Sequence, residues 1–397
     1  MLDPFPGPPG WLRDAVEPWA LSLNVPTLPD HIHEALIAFV SYQFIHFYLS
    51  PWLSSRLLPR FYPKFNRRTK LNWDTHVVSF VQSTLINAVS LWFILFDKER
   101  KSMNAGERVY GYTGAGGLIQ ALAAGYFLYD LIICTVYIKI FGVGMLFHAI
   151  SALWVFSFGF RPFLTFYGPN FLLYELSSPF LNIHWFLDKV DMTGSTAQWY
   201  NGMALLFVFF SCRLVWGTWQ SVLVYRDMFG ALRQTWDASS LLEPVDISAQ
   251  VFRDRSSVLC FDKGCAEANA EISKFGRYTA GGVPTWLVVT YVASNLVLNS
   301  LNYYWFSKMI DAVLKRFRTR ASEIKEQPAE ELRDAVLETA SRLEKEEDAC
   351  LTGPGNENGN EKKADGKGSV DTKSSTGLDT GFTGKQLRNR RIEVPTS

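Results

Sequence analysis

The sequence carries no marked excess of charge of either sign, few cysteines, no Asn-x-Ser/Thr sequon and no internal repeat. With 39 basic against 38 acidic residues, it lacks the concentrated positive field a nucleic-acid surface needs, so no nucleic acid is expected as a partner. The five cysteines, Cys134, Cys212, Cys260, Cys265 and Cys350, show no zinc spacing. His148 and His184 lie far apart with no recognisable ligand set around them, so neither a metal nor a cofactor is expected. The N-terminal region has no basic stretch leading into an apolar core. Pro4, Pro6, Pro8 and Pro9 crowd it instead, and no cleaved signal peptide is expected.

What the chain does have is long apolar runs. Hydrophobic residues make up 48% of it, and they are gathered rather than spread. Stretches of about 20 residues recur with few or no charges, each enough for a helix to cross a hydrocarbon core roughly 30 Å thick. The helices of a soluble domain keep one wet face and seldom need such runs. We read spans at 33–53, 73–96, 117–141, 142–160, 163–187, 199–225 and 284–309. The fold class is therefore all-α, a polytopic membrane protein with about seven transmembrane helices. Arg161-Pro162 suits a tight turn, while Gly168-Pro169 and Pro179 predict breaks in the fifth span.

Charge sets an expected orientation. The link after the first span carries Arg56, Arg60, Lys64, Arg67, Arg68 and Lys70 without an acidic residue, which marks it as cytosolic. Alternation then places 1–32 and the long segment 227–280 on the lumenal or exterior side and the C-terminus in the cytosol. Lys308, Lys315, Arg316, Arg318 and Arg320 after the last span agree. Cys260 and Cys265 fall in the lumenal segment, where both a disulfide and two free thiols stay open. The tail, 316–397, is expected to be cytosolic and, after about 350, too poor in apolar residues to fold.

Polar residues inside the apolar spans recur at helical spacing. Ser79, Ser83, Asn87 and Ser90 share a face of the second span, beside Gln82. Tyr126, Asp130, Cys134 and Tyr137 line the third, and His148 and Ser151 the fourth. Glu175, Ser178 and Asn182 align in the fifth, Arg213, Trp216 and Gln220 in the sixth, and Tyr291, Asn295, Asn299 and Asn302 in the seventh. Turned to lipid such stripes would be costly, so they are expected to face one enclosed interior. Ser and Asn alone would serve as interhelical glue. Asp130, Glu175, Arg213 and His148 together point further, to a cavity that recognises a polar head group.

Several stretches resemble the TLC-domain family: Asn72-Trp73-Asp74, the run from Gly125 to Asp130, Phe147-His148, and the run from Tyr174 to Asn182. The resemblance covers about 70–315. It implies a six-helix core of TLC type with the 33–53 helix as an extra one, residence in endoplasmic reticulum or other endomembranes, and a role with membrane lipids. Ceramide synthases of that family carry two adjacent histidines and a His-Asp-x-x-Asp pattern. Here His148 matches the second histidine, Phe147 stands at the first, Tyr174 replaces the histidine of the second pattern, and Glu175 and Ser178 stand for its aspartates. The set resembles the non-synthase branch of the family.

Three functions compete. The first is a protein that binds lipid in a polar intramembrane cavity and contributes to sphingolipid or phospholipid homeostasis, with Asp130, Glu175, Ser178, Asn182, Arg213, Asn295 and Asn299 lining it. The second is an acyl-CoA-dependent N-acyltransferase, with His148 as base or acyl carrier and Glu175 orienting it. The third is a transporter, for which the sequence offers no inverted repeat. Membrane lipids, and acyl-CoA in the second case, are the implied partners.

Overall fold

The computed structural model describes residues 1–239, 246–253, 260–261 and 263–321. The expected tail therefore lies outside the described residues from position 322 on, as do parts of the 227–280 segment. Among the described residues the chain is all helix, without a β-strand.

Helix α1 (Gly10–Leu23) leads into α2 (Leu28–Phe44), which runs through a π turn at Ile45–Leu49 into α3 (Ser50–Leu57). The wide turn has a local cause. Pro51 offers no N–H and its ring crowds the preceding carbonyls, and the π turn just before it loosens that stretch. The long α4 (Arg67–Phe96) starts at Asn66, whose side chain accepts from the backbone N–H of Thr69 at 2.7 Å. Two short helices, α5 (Lys98–Lys101) and α6 (Ala105–Tyr110), bridge to α7 (Gly114–Val136) and α8 (Ile138–Ser157).

The expected boundary between spans at 141 and 142 shifts. The chain leaves helical geometry at Tyr137, and Gly142, with φ of 82°, bends α8 near its start. The fifth segment is discontinuous, as Gly168-Pro169 and Pro179 predict: α9 (Gly168–Leu172), a 3-10 stretch at Leu173–Ser177, and α10 (Ser178–Lys189). A second π turn, Phe210–Trp216, joins α11 (Thr196–Phe209) to α12 (Gly217–Ser239). The short α13 (Ile247–Arg253) and α14 (Lys263–Ser273) precede the long α15 (Thr285–Ala321).

Three helical stretches are by themselves long and apolar enough to cross a membrane: Arg67–Phe96, Ala105–Val136 and Thr196–Asp237. The other four expected spans are also helical, but each is broken, short or mixed in composition. Burial supports the membrane character. In α4 the polar residues Gln82, Ser83, Asn87 and Ser90 are buried, while Leu85, Trp92, Leu95 and Phe96 face outward. Phe44, Tyr48, Phe207, Trp219, Val289 and Val297 are likewise exposed on other helices. A chain in water would reverse this arrangement.

Contacts at the helix ends fall into two sets. At one end Thr27 Oγ1 donates to the Phe160 carbonyl at 2.8 Å, Leu164 N donates to Val109 O at 2.8 Å, and Val283 N donates to Thr235 Oγ1 at 2.9 Å. At the other, Tyr62, Trp73 and Trp185 form an aromatic core, and Ser50 and Tyr62 donate to the buried Asp74 at 2.6 and 2.9 Å. The helices between these sets alternate in direction. Cys260 and Cys265 are disulfide-bonded, resolving the alternative their spacing left open, and Cys134 and Cys212 are buried free thiols.

The first set centres on an ion pair. Asp227, its side chain 2% exposed, takes Arg108 Nε at 2.5 Å and the Tyr167 hydroxyl at 2.6 Å. Arg226 also approaches it, at 3.4 Å, but its side chain is 65% exposed. Asp227→Ala, which strands Arg108, is expected to cost about 3–5 kcal/mol. Arg226→Ala is expected to cost less than about 1 kcal/mol. Thermal unfolding of the detergent-purified protein measures both, and similar losses would contradict this account of the contact.

Candidate functional site

Local breaks in the helices position the polar groups. In the fifth segment the 3-10 stretch leaves carbonyls free of the α-helical pattern, and the one at Tyr174 turns toward the π turn of the sixth. Arg213 lies in that π turn. Its Nε donates to Tyr174 O at 3.1 Å and to Ser177 Oγ at 3.0 Å, and Nη1 donates to Asn302 Oδ1 at 3.3 Å. The guanidinium rests over the Phe209 ring, 5.0 Å from its centroid. Nη2 stands 3.9 Å from Glu175 Oε1, while Glu175 Oε2 accepts from Ser178 Oγ at 2.6 Å.

The network continues toward α15. The Tyr174 hydroxyl donates to Asn299 Oδ1 at 3.2 Å, and Asn299 Nδ2 donates to Ser221 Oγ and Asn295 Oδ1, both at 2.9 Å. Asn295 also accepts from the Tyr225 hydroxyl at 2.6 Å. Gly217 stands where a Cβ would come within 2.5 Å of the Tyr174 hydroxyl, so the absence of a side chain there lets the tyrosine reach across. On the other side, the Tyr126 ring of α7 packs on Tyr42, Phe127 and Tyr129. Ser79 accepts from Asn182 Nδ2 at 3.1 Å, and Asn182 Oδ1 meets His76 Nδ1 at 2.7 Å. The His76 ring stacks on Trp185, 4.2 Å between centroids.

Hydrogen bonds thus link Arg213, through Tyr174, to Asn299 and Asn295, with Glu175 and Ser178 beside it, while Asn182 belongs to a separate cluster with Ser79 and His76. Asp130 is buried on α7 and accepts from Cys134 Sγ at 3.7 Å. The side chains of His148 and Ser151 lie outside the described residues. His46 is buried in a hydrogen bond to the Tyr129 hydroxyl at 2.7 Å, and His184 is buried against Gln198.

Spacing missed Ser221, Tyr225 and the Tyr174 carbonyl. On a regular α-helix Arg213, Trp216 and Gln220 share one face. The π turn inserts one extra residue, so Arg213, Ser221 and Tyr225 meet Asn302, Asn299 and Asn295 of α15. Trp216 and Gln220 meet Asn170 instead, at 2.9 and 2.7 Å.

The TLC domain family model matches residues 72–311, the same helices that carry this network. The chain belongs to the TLC-domain family. An uncharacterised TLC domain-containing protein of Schizosaccharomyces pombe is 36% identical over 313 residues, covering 79% of this chain and 89% of that protein. Topoisomerase I damage affected protein 4 of Saccharomyces cerevisiae is 28% identical over 287 residues, 70% of this chain and 83% of its own. Human TLC domain-containing protein 4 is 30% identical over 181 residues, 45% of this chain and 67% of its own. No solved structure matches.

The planar guanidinium serves several acceptors at once, which a lysine ammonium cannot reproduce. Arg213→Lys is expected to lower stability by about 1–3 kcal/mol by leaving buried acceptors unfilled. Glu175→Gln, at the long and partly exposed contact, is expected to cost less than about 1 kcal/mol. Denaturant titration in detergent compares them. Equal losses would mean the ion pair, and not the multi-acceptor guanidinium, holds the segments together.

Proposed function

We propose that this polar network lines a lipid-binding chamber, and that the protein contributes to membrane lipid homeostasis, of sphingolipids or phospholipids, without turnover of its own. The observation that carries the reading is the unfinished pairing of Arg213 with Glu175. At 3.9 Å the pair falls short of a hydrogen bond, and the Glu175 side chain is 35% exposed although its segment sits among packed helices. A cation and an anion held in place with bonding capacity to spare suit a lipid head group that carries phosphate or amine. Asn295 and Asn299 add neutral polar groups within the same network.

The acyltransferase reading assigns Glu175 to orient His148. Of the Glu175 oxygens, Oε2 accepts from Ser178 Oγ and Oε1 stands 3.9 Å from Arg213 Nη2.

The same reading includes seven spans in an endoplasmic reticulum or related endomembrane, N-terminus lumenal and C-terminus cytosolic. Two features support it. The basic residues from Arg56 to Lys70 fall at the end of the helices opposite to Cys260–Cys265. A disulfide persists in oxidising compartments, and a basic loop stays in the cytosol.

Lipid analysis of cells lacking the protein tests the proposal. Re-expression of the wild type is expected to restore the lipid profile, and so is His148→Ala, whereas Arg213→Gln at equal abundance is expected not to. Amide formation by the purified protein from acyl-CoA and a sphingoid base, abolished in His148→Ala, would overturn the reading in favour of catalysis.

A further inference from the structure

A second polar cluster stands apart from this network, at the end of the molecule where α2, α7 and α14 meet. His31 and Glu34, one helical turn apart on α2, have side chains only 1% exposed, and Asp3 from the N-terminal segment folds over them. His31 Nδ1 lies 2.7 Å from Glu34 Oε2 and 3.4 Å from Asp3 Oδ2. One oxygen or nitrogen from each of the three residues falls within 4.8 Å of the other two.

We propose that Asp3, His31 and Glu34 bind a divalent transition-metal ion of the zinc or manganese class. Four observations support the site. A neutral imidazole has one Nδ1 position, and here two carboxylates face it. Whichever is bonded, the other is left close to like charge. Glu34 Oε1 is buried and accepts no hydrogen bond. His33 Nε2, 3.9 Å from it, is directed at the Pro6 carbonyl at 2.9 Å. The neighbouring cations Lys274 and Arg13 are engaged elsewhere, both contacting Asp30, at 2.9 and 3.2 Å.

The other imidazole nitrogen is held by a hydrogen bond of its own. Nε2 meets the Tyr112 hydroxyl at 2.5 Å, an interaction that fixes the ring and leaves Nδ1 directed at the carboxylates. The start of α7 leaves room for the ring, because a Cβ at Gly117 would collide with His31 Nε2. The mixture of one imidazole nitrogen with carboxylate oxygens is the donor set of zinc and manganese rather than of copper(I) or an iron–sulfur cluster.

The test uses the full-length protein in detergent, stripped with chelator and titrated with Zn²⁺ and, separately, Mn²⁺, with bound metal counted by mass spectrometry. One ion per chain is expected, together with a rise in the thermal midpoint. Asp3→Asn and Glu34→Gln should each weaken binding by at least about tenfold, and Tyr112→Phe by about 10–100-fold. Asp30→Asn, beside the site but bonded to Lys274 and Arg13, should leave affinity unchanged. Asp3→Asn is the decisive variant, since Asp3 is the most exposed of the three and its loss spares the helix packing. Failure of both ions to bind stoichiometrically would overturn the proposal and leave a proton shared between the carboxyls as the neutralising charge. Binding that survives all three substitutions would overturn it equally.

Discussion

The structure depends on one constraint: within a lipid-facing bundle, a polar side chain must find its partner inside the protein. Water is not at hand to finish an incomplete hydrogen bond, so each buried amide or charge needs a neighbour on another helix. The asparagines of α15 and the Arg213 guanidinium answer this requirement across helices, whereas on α4 Gln82 Nε2, Asn87 Oδ1 and Ser90 Oγ are buried without a hydrogen-bond partner among the described residues. Large apolar side chains are left on the outside, where lipid replaces the core that a soluble protein would build. Packing and recognition thus draw on the same residues, and the groups that tie the helices together are also the ones proposed to meet a lipid head group.

Much of this was legible in the sequence because a helix maps spacing onto direction. Ser83, Asn87 and Ser90 pointed inward as their period required, and Gly168, Pro169 and Pro179 marked the broken segment. What failed was register. Proline at 51 gave some warning of the first π turn, but nothing in the run from Phe210 to Trp216 announces the second. The partners of α15 were therefore displaced by one position. The cluster at Asp3, His31 and Glu34 escaped for a different reason. Its spacing of three on α2 was visible, yet the span was drawn from 33, which split the pair, and Asp3 comes from a segment whose path no periodicity predicts.

Membership of the TLC-domain family sets the scaffold without setting the chemistry. The matched region carries Phe147, Tyr174 and Ser178 where the resemblance to ceramide synthases implies two histidines and an aspartate. At Tyr174 the phenol spans to Asn299 and the backbone carbonyl anchors Arg213, so the residue braces three segments.

The π turn between α11 and α12 has a mechanical consequence. It holds one residue of slack in an otherwise continuous rod, and a helix advances about 100° with each residue. Rewinding that slack into regular α-helix would turn α12 about its axis, withdrawing Ser221 and Tyr225 from Asn299 and Asn295 and bringing the next row of side chains round. Arg213, sitting in the slack itself, is the pin that opposes such a rotation. Whatever occupies the space beside its guanidinium therefore bears on the angular setting of the whole rod.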